Sequence, residues 1–261
     1  MRSACRVIVG VACLAALGTT GAPAGAETVA AKARPPLYRY VSYWAFPQGH
    51  RPELGKDGAI AGERILTAAL ADGTVLGYGD DEEQVHSAGG FTHARWFQAK
   101  SFASLFKMTQ TVHIDGDSNS PPLADATRHW DQIYVTSFYN WKPGSWKGAY
   151  GYSGTAELRP DVPDASDAVR ALSSFYVPVF EKMLSDGIIV EYEIDRVVHT
   201  SDSPRQIHFS FVIPNAEGLD KFQASLGDAI DQNSLIAPAF GGLTVNFSEK
   251  FDFVKVNATY K

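Results

Sequence analysis

The apolar and polar positions in the second half of the chain change their period several times. From Ser166, a candidate N-cap, apolar residues recur at helical spacing as far as Met183 and Leu184, and Gly187 follows as a helix stop. Pro178 lies inside this segment and predicts a kink or a break. Alternating segments on either side predict strands. The predicted elements are the strand AYGYSGTAE from Ala149, this helix, the strands IIVEYEID from Ile188 and IHFSFVI from Ile207, the helix EGLDKFQASLGDAI from Glu217 and the strand FDFVKVNATY from Phe251.

The first half of the chain shows the same succession of periods. Its predicted elements are the strand YRYVSYWAF from Tyr38, the helix AIAGERILTAALADG from Ala59, the strands TVLGYGD from Thr74 and FTHARWFQ from Phe91, the helix KSFASLFKM from Lys100 and the strand WDQIYVTSFY from Trp130. Both halves are therefore predicted to follow the order β-α-β-β-α-β.

Several phrases also recur between the halves. LADGTVLGY begins at Leu70 and LSDGIIVEY at Leu184, and KSFASL from Lys100 resembles KFQASL from Lys221. The closing strands WDQIYVTSFY and FDFVKVNATY resemble each other at the same offset. We therefore expect an internal duplication, with one copy in residues 37–142 and the other in residues 146–261. The alternative is that amphipathic α/β segments look alike without common descent. The shared Asp-Gly is interpreted as a helix stop that leads into the second strand of each copy.

The order β-α-β-β-α-β is that of the split β-α-β unit, an antiparallel sheet with both helices on one face. At this level the chain resembles the dimeric α/β-barrel superfamily in a tandem, single-chain form. The resemblance covers most of residues 37–261 and rests on element order and duplication. It implies an α+β fold in which two tandem ferredoxin-like repeats form a pseudo-dimeric barrel. It also implies a lumen between two sheets, and members of the superfamily variously hold haem, oxidise quinol-like aromatics without a cofactor or isomerise small acids.

The strand IIVEYEID carries its charged residues on one face. Because side chains alternate between faces, the acidic face is expected to point away from the helices and toward the other sheet. Pairing the next strand as a hairpin with Tyr192 opposite Phe209 places Glu193 directly opposite His208. A carboxylate beside an imidazole suits general acid–base chemistry, so Glu193 and His208 are the candidate catalytic residues. If the lumen is closed and the attraction of the carboxylate outweighs the cost of desolvation, the pKa of His208 is expected to lie above its ordinary value of about 6.5. The imidazole would then stay protonated at higher pH than usual.

The same alternation gives the other side chains expected to line the lumen. In the second half they are Ile189, Glu191, Asp195, Ser210, Val212, Phe253, Lys255, Asn257 and Thr259. In the first half they are Val75, Gly77, Gly79, His93, Arg95, Phe97, Gln132, Tyr134, Thr136 and Phe138. The candidate ligand-binding residues among them are His93, Arg95, Tyr134, Glu191, Lys255 and Asn257. The alternative is that this sheet face is open to solvent, where charged residues are ordinary.

Metal ions and cofactors receive little support from the sequence. His93 and His208 occupy matching positions, but neither has a second ligand at suitable spacing in its own strand, so no metal site is predicted. His86 and His199 are expected in turns. The phosphate-binding glycine loop, the Gly-x-Ser-x-Gly elbow and His-Glu-x-x-His are missing from the sequence. Haem-binding relatives generally take their proximal histidine from a helix or its end, whereas the four predicted helices contain none and only His113 follows one closely.

Aromatic residues cluster in two segments, YVSYWAF and FYNWKPGSWKGAYGY. They contain Trp44, Trp141 and Trp146 together with several tyrosines and phenylalanines. Aromatic faces of this kind can stack on a planar ligand. The alternative is ordinary packing of the core and of the connection between the two halves.

The first 26 residues have the composition of a secretory signal peptide. Two arginines precede the apolar run VIVGVACLAALG, and AGA ending at Ala26 suits cleavage. Both cysteines, Cys5 and Cys13, lie in this leader, so the mature chain would have no thiol. A lipid-modified Cys13 is the alternative. The leader predicts a periplasmic or secreted protein, and no later apolar run approaches the roughly 20 residues of a membrane span.

The charge of the chain argues against nucleic acid as a partner. The whole sequence has 23 Lys plus Arg against 29 Asp plus Glu, a net charge of −6, and loss of the leader with Arg2 and Arg6 would make it about −8. The favoured hypothesis is a secreted protein that binds a small, aromatic or otherwise planar molecule between two sheets, as a cofactor-free oxygenase or isomerase. The alternative is a non-enzymatic periplasmic ligand-binding or assembly protein. Oligomeric state is left open.

Overall fold

The computed structural model of the protein describes residues 34–47, 59–85, 90–112, 125–162, 165–200, 205–232, 241–246 and 251–261. Its strands are β1 (Leu37–Ala45), β2 (Gly77–Glu83), β3 (His93–Ala99), β4 (Arg128–Trp141), β5 (Gly144–Leu158), β6 (Glu191–Thr200), β7 (Gln206–Ile213), β8 (Thr244–Asn246) and β9 (Phe251–Tyr260). Its helices are α1 (Ala59–Asp72), α2 (Phe102–Val112), α3 (Ala165–Asp186) and α4 (Ala216–Gln232). The predicted leader, with Cys5 and Cys13, lies outside the described residues, as do His86 and His113.

Eight of the strands close into one antiparallel barrel. Hydrogen-bonded neighbours follow the order β4-β1-β3-β2 in the first half of the chain and β9-β5-β7-β6 in the second. The two halves join twice, because β2 pairs with β9 and β4 pairs with β6. The remaining strand, β8, pairs with the end of β5. Each of the eight barrel strands thus has a partner on both sides, which removes the exposed sheet edges that favour aggregation.

The helices pack on the outside of this barrel and create two outer cores. Helices α3 and α4 cover β5, β6 and β7 with a core rich in aromatic residues, among them Tyr176, Phe180, Phe209, Phe211 and Phe222. Helices α1 and α2 cover β1 and β3 with a smaller core that includes Leu66, Phe97 and Leu105. A third group of buried residues, including Val41, Trp96, Tyr134 and Val256, fills the barrel interior. The strands that lie under a helix therefore bury much of both faces, whereas the outer face of β9 is partly exposed.

The repeated Asp-Gly phrase ends α1 and α3 in the same way. Gly73 follows α1 with φ of 81° and Gly187 follows α3 with φ of 76°, a left-handed conformation that favours glycine. The amide of Gly73 donates to the carbonyl of Leu70 at 3.2 Å, and the amide of Gly187 donates to the carbonyl of Leu184 at 3.2 Å. The phrase is thus a helix terminus, as its interpretation as a helix stop predicted.

The fold confirms the α+β class and the likeness to dimeric α/β barrels that the order of elements predicted. Helix α3 runs from Ala165 to Asp186 with Pro178 inside it, so the proline does not divide it into two helices. Among the described residues, every helix is too short or too polar to cross a membrane.

Candidate functional site

The barrel interior is polar at its centre. Strand β6 directs Glu191, Glu193 and Asp195 inward, and all three residues are fully buried. Strand β1 contributes Arg39, which is 3% exposed. The face assigned to the acidic residues of this strand is therefore correct, and the solvent-exposed alternative is wrong.

Arg39 is the cation of this interior. Its Nη1 donates to Oε2 of Glu193 at 2.6 Å, and its guanidinium carbon lies 4.2 Å from the ring centroid of Trp96. Asp81 of β2 accepts a hydrogen bond from the indole nitrogen of Trp96 at 3.2 Å. Neither carboxylate oxygen of Glu191 has a hydrogen-bond partner among the described residues. One guanidinium thus faces three fully buried carboxyl groups, those of Glu191, Glu193 and Asp195, and the half-buried Asp81 lies nearby.

This excess of carboxyl groups changes their ionisation. Burial raises the pKa of Asp81 to about 6, although Arg39 opposes the shift. Burial also raises the pKa of Glu193 to about 7, again against the attraction of Arg39. Burial and the charge of Glu193 raise the pKa of Glu191 well above its ordinary value. Because Glu193 contacts the guanidinium and Glu191 has no hydrogen-bond partner among the described residues, Glu191 is the carboxyl group of this interior that most favours its protonated form.

The predicted pairing of Glu193 with His208 is wrong. Residues Tyr192 and Phe211 are opposite each other, so the register differs by two residues from the one predicted. His208 instead lies opposite Asp195, and its Nδ1 is 2.9 Å from Oδ2 of Asp195. A shift of two residues keeps every side chain on its face, so alternation alone cannot distinguish the two registers.

The expected rise in the pKa of His208 is also wrong. Burial lowers its pKa, and this desolvation outweighs the hydrogen bond and the negative charge of Asp195. The buried Arg39 lowers it further. His208 is therefore a neutral imidazole at neutral pH. Its Nδ1–H then donates to Asp195, and its Nε2 accepts from the hydroxyl of Ser153 at 2.7 Å.

His93 and Arg95 do not enter the barrel. Strand β3 directs Ala94 and Trp96 inward, and Arg95 points outward, where its Nε donates to Asp80 at 2.8 Å. His93 is buried on the outer side against the ring of Phe46. The sequence HARWFQ has large residues on both faces, so the pattern could not tell which face was inward. His93 and His208 thus lie on opposite sides of the barrel wall, and they do not share a site.

Lys255 and Asn257 are also outside the barrel. Both are exposed, and Oδ1 of Asn257 accepts a hydrogen bond from the amide of Gly148 at 2.9 Å. The alternate residues of β9 point inward: Val254, Val256, Ala258 and Tyr260. The prediction assumed that the strongest apolar face would lie under helices, but here the apolar face fills the barrel. Phe253 and Thr259, predicted inward with these residues, are likewise on the outer face.

Three smaller face assignments differ near strand ends. Val75 and Ile189 precede their strands and lie in the outer cores, as does Phe138, which follows a bulge between Thr136 and Phe138. An irregular pairing reverses the alternation on one side of it. Tyr134 does enter the barrel as predicted, where its hydroxyl lies 2.9 Å from that of Tyr43.

The described residues contain no group of three histidine, cysteine, aspartate or glutamate side chains arranged to hold a metal ion. His199 is exposed near the end of β6 and lies edge-on to Phe102.

The barrel interior contains a small cavity. A cavity of about 10 Å³ lies between Arg39, Trp96, Ser153 and Ser210, which is room for about one water molecule. A planar aromatic molecule cannot enter this space without displacing the packed side chains.

A larger cavity of about 240 Å³ lies outside the barrel wall, between α3, α4 and the sheet; we call it the apolar cavity. An engineered protein cavity of about 150 Å³ already binds benzene. The lining of the apolar cavity is almost entirely hydrophobic and aromatic: Tyr152, Tyr176, Phe180, Phe209, Phe211, Phe222, Gln223, Leu226 and Ile230.

The seating of α4 explains why this space exists. Gly218 allows the start of α4 to approach the sheet, because a Cβ there would lie 2.6 Å from Cγ2 of Ile213. Phe222, Leu226 and Ile230 form one stripe along the helix at four-residue spacing. Exposure along this stripe rises from 3% at Phe222 to 38% at Ile230. The stripe is therefore buried at its start and open at its end, where Ile230 forms the mouth of the cavity.

The walls of the apolar cavity present ring faces and edges. Tyr152 and Phe222 stack at 5.5 Å with an interplanar angle of 17°, and Phe211 meets Phe180 edge to face at 4.7 Å. Burial raises the pKa of Tyr176 to about 12, so its hydroxyl is neutral at physiological pH. The lining residues supply no histidine, cysteine or methionine as an axial ligand. Tyr152 and Tyr176 are the only lining residues of a type that can ligate haem iron, and the raised pKa of Tyr176 opposes the phenolate form that such a bond needs.

Comparisons with solved structures place this geometry among known folds. A candidate monooxygenase from Lactobacillus acidophilus superposes with a TM-score of 0.56 at 12% identity, covering 87% of this chain and 93% of its own. A candidate monooxygenase from Fusobacterium nucleatum superposes with a TM-score of 0.53 at 8% identity, covering 87% of this chain and 94% of its own. The chain has the dimeric α/β-barrel fold. An anthrone oxidase-like protein superposes with a TM-score of 0.51 at 7% identity, covering 87% of this chain and 94% of its own.

No protein-family model matches the sequence, and no curated protein matches it. Likeness at such low identity concerns the fold alone. In this dimeric α/β barrel, sequence reasoning missed Arg39, Asp81 and Ser153. A single arginine within the otherwise apolar strand YRYVSYWA was the available signal for Arg39.

Proposed function

We propose that this protein binds a small, neutral, planar apolar molecule in the apolar cavity. The observation that carries the proposal is the aromatic lining of a cavity of about 240 Å³ that opens to solvent beside Ile230. Ligand sites are typically concave and mostly apolar, with a few polar groups that orient the ligand. Here the hydroxyls of Tyr152 and Tyr176 and the amide of Gln223 are the polar groups.

The chemistry of the lining selects the charge of the ligand. The lining residues include no charged side chain, so an ion would lose its hydration without gaining a partner. Aromatic rings offer stacking and edge-to-face contacts to a planar ligand. A phenol with a raised pKa remains a hydrogen-bond donor, which suits a carbonyl or a hydroxyl on the ligand.

A second candidate function is the cofactor-free oxygenation of such a ligand. It is favoured by the likeness in fold of 87% of the chain to two candidate monooxygenases and to an anthrone oxidase-like protein. In this reading the apolar cavity holds an electron-rich aromatic substrate, and molecular oxygen is the oxidant. Oxygen uptake with anthrone, without added metal or cofactor, is the corresponding test. No uptake alongside measurable binding would favour the non-enzymatic ligand-binding alternative.

Binding can be measured with N-phenyl-1-naphthylamine, a neutral planar fluorophore. We expect saturable fluorescence enhancement, and weaker binding of 1-anilinonaphthalene-8-sulfonate because its sulfonate has no partner in the cavity. Ile230→Trp narrows the mouth and should weaken binding by at least about tenfold, or about 1.4 kcal/mol. Val245→Trp is the matched control, because Val245 is 53% exposed and does not line the cavity. Equal affinities in the two variants would contradict the proposal.

We also propose that residues 37–142 and 146–261 are two ferredoxin-like copies of one ancestral unit. Their common element order and their equivalent strand orders support this. If each copy is a structural unit, separate chains of these two ranges should assemble when produced together. Size-exclusion chromatography with light scattering should then report a one-to-one complex, whereas aggregation of both chains would count against two independent units.

Finally, we propose that the protein is exported and that residues 1–26 are removed. The support is the charged, apolar and small-residue order of the leader. Intact mass of the protein from the exported fraction should correspond to a chain that starts at Glu27 and lacks thiols. A lipid on Cys13 would contradict this cleavage site.

A further inference from the structure

The barrel interior contains a connected chain of three side chains at one side of the polar centre. Oδ2 of Asp195 lies 2.9 Å from Nδ1 of His208, and Nε2 of His208 lies 2.7 Å from Oγ of Ser153. Asp195 and His208 are buried, whereas Ser153 is partly exposed. The three residues come from the neighbouring strands β6, β7 and β5, so the barrel wall holds them in place. A carboxylate, an imidazole and a hydroxyl in this order activate a serine in many unrelated folds.

We propose that Ser153 is a nucleophile activated by His208 and Asp195, and that it cleaves small carboxylic esters at the barrel wall. This activity is separate from ligand binding in the apolar cavity. It therefore does not rest on the proposed function.

The electrostatics of the chain suit this role. A nucleophilic serine needs a neutral imidazole that can accept its proton, and burial keeps His208 neutral. The carboxylate of Asp195 fixes the tautomer, because Nδ1–H donates to it and leaves Nε2 facing Ser153. Asp195 is the positioning residue, and it stabilises the imidazolium that forms during attack.

A place for the carbonyl oxygen of an ester lies beside the serine. The cavity of about 10 Å³ is lined by Ser153, Ser210 and Arg39, and its volume suits one oxygen atom. Nε of Arg39 is buried and has no hydrogen-bond partner among the described residues. A buried donor next to such a cavity can stabilise the negative charge that develops on the oxygen. Because the cavity is this small, the acyl chain and the leaving group must lie outside it, and this requires the partial exposure that Ser153 has.

The reaction is balanced by the ester and water alone. Oγ of Ser153 forms a bond to the carbonyl carbon while its proton moves to Nε2 of His208. Collapse of the tetrahedral intermediate breaks the bond to the leaving alkoxide, which takes the proton from His208. Water then attacks the acyl group on Ser153 while its proton moves to Nε2 of His208. Collapse of this second intermediate releases the carboxylic acid and returns the proton to Oγ of Ser153. A short acyl group fits the restricted space, and p-nitrophenolate is a good leaving group. For these two reasons p-nitrophenyl acetate is the probe.

The first test is covalent labelling of the full chain with a fluorophosphonate, followed by mass spectrometry of the peptides. We expect one phosphonyl group on Ser153 and hydrolysis of p-nitrophenyl acetate above the background rate. Ser153→Ala should abolish both signals. Ser145→Ala should retain them, because Ser145 is an exposed residue of the same strand. Asp195→Asn should slow labelling at least about a hundredfold while Ser153 remains present. Absence of labelling, or labelling that persists in Ser153→Ala, would overturn the proposal.

A second variant keeps the proposal testable if Asp195→Asn fails to fold. The thiol introduced by Ser153→Cys should have a pKa below the ordinary value of about 8.5 when it contacts His208. Its alkylation by iodoacetamide at pH 7 should therefore be at least about tenfold faster than that of the thiol introduced by Ser145→Cys. Peptide mapping separates both thiols from Cys5 and Cys13. Equal or slower alkylation at residue 153 would show that the chain only stabilises the barrel.

Discussion

At the scale of single residues, Arg39 balances the charge of the barrel interior. Its guanidinium pairs with Glu193, contacts the face of Trp96 and lies near the buried carboxyl groups of Glu191 and Asp195. Removing one member of a buried ion pair leaves the other member uncompensated, which is more harmful than removing both. The barrel should therefore depend on Arg39 much more than on any exposed arginine.

Arg39→Met should lower the free energy of unfolding by about 3–5 kcal/mol, because Glu193 would lose its cation in a buried site. The double variant Arg39→Met/Glu193→Gln should recover part of this loss. Arg159→Met is the control, since the ion pair of Arg159 with Asp161 is exposed and should contribute little. Urea denaturation followed by circular dichroism measures all three. Similar midpoints for Arg39→Met and Arg159→Met would refute the central role of Arg39.

The raised pKa values of the carboxyl groups predict how stability depends on pH. Asp81, Glu191 and Glu193 have pKa values in the folded protein above their ordinary values, so they favour folding at low pH. That contribution is lost as pH rises through about 6 and about 7, the folded pKa values of Asp81 and Glu193. His208 acts in the opposite direction, because its lowered pKa favours folding above pH 6.5. We expect the combined effect of the three carboxyl groups on the free energy of unfolding to exceed the opposite effect of the one imidazole.

The melting temperature should therefore fall by roughly 5–10 °C between pH 5 and pH 8. Differential scanning calorimetry at constant ionic strength measures it, and Glu191→Gln should flatten the profile. A melting temperature that rises across this interval would contradict the assignment of a buried, protonated Glu191.

At the scale of elements, the sequence predicted the helices and strands better than the contacts between strands. The two-residue period of β6 and β7 correctly placed Glu191, Glu193 and His208 inside, because only one face of each strand was apolar. The assignment of β3 failed because both of its faces carry bulky residues, and that of β9 failed because its apolar face fills the barrel instead of lying under helices. The register of β6 against β7 and the approach of Arg39 depend on pairings that a periodic pattern does not encode.

Two glycines test the role of the helix ends. Gly187→Ala should destabilise the protein by roughly 1 kcal/mol or more, because Gly187 follows α3 with a φ of 76°. Gly227→Ala is the matched substitution inside α4, where a Cβ would meet no atom within 4 Å. It should stabilise the protein by about 0.5–1 kcal/mol, since alanine favours a helix. Thermal unfolding measures both, and a change of the same sign in the two variants would argue against this account.

At the scale of the whole molecule, the closed barrel divides the protein into two chemical environments. Its interior contains the buried charged groups and a cavity of only about 10 Å³ beside Arg39, whereas the apolar cavity of about 240 Å³ lies outside its wall beneath α3 and α4. The sequence predicted a planar ligand between the sheets, whereas we propose the apolar cavity as its site. Side-chain packing decides where volume remains, and it depends on the seating of α4 by Gly218.

The most direct test of this division is a methyl NMR titration with N-phenyl-1-naphthylamine. The account predicts saturable chemical-shift changes at the methyl groups of Leu226 and Ile230, which line the apolar cavity. The methyl groups of Val254 and Val256, which face the barrel interior, should keep their positions. Shifts at Val254 and Val256 with none at Leu226 and Ile230 would place the ligand between the sheets and contradict the account.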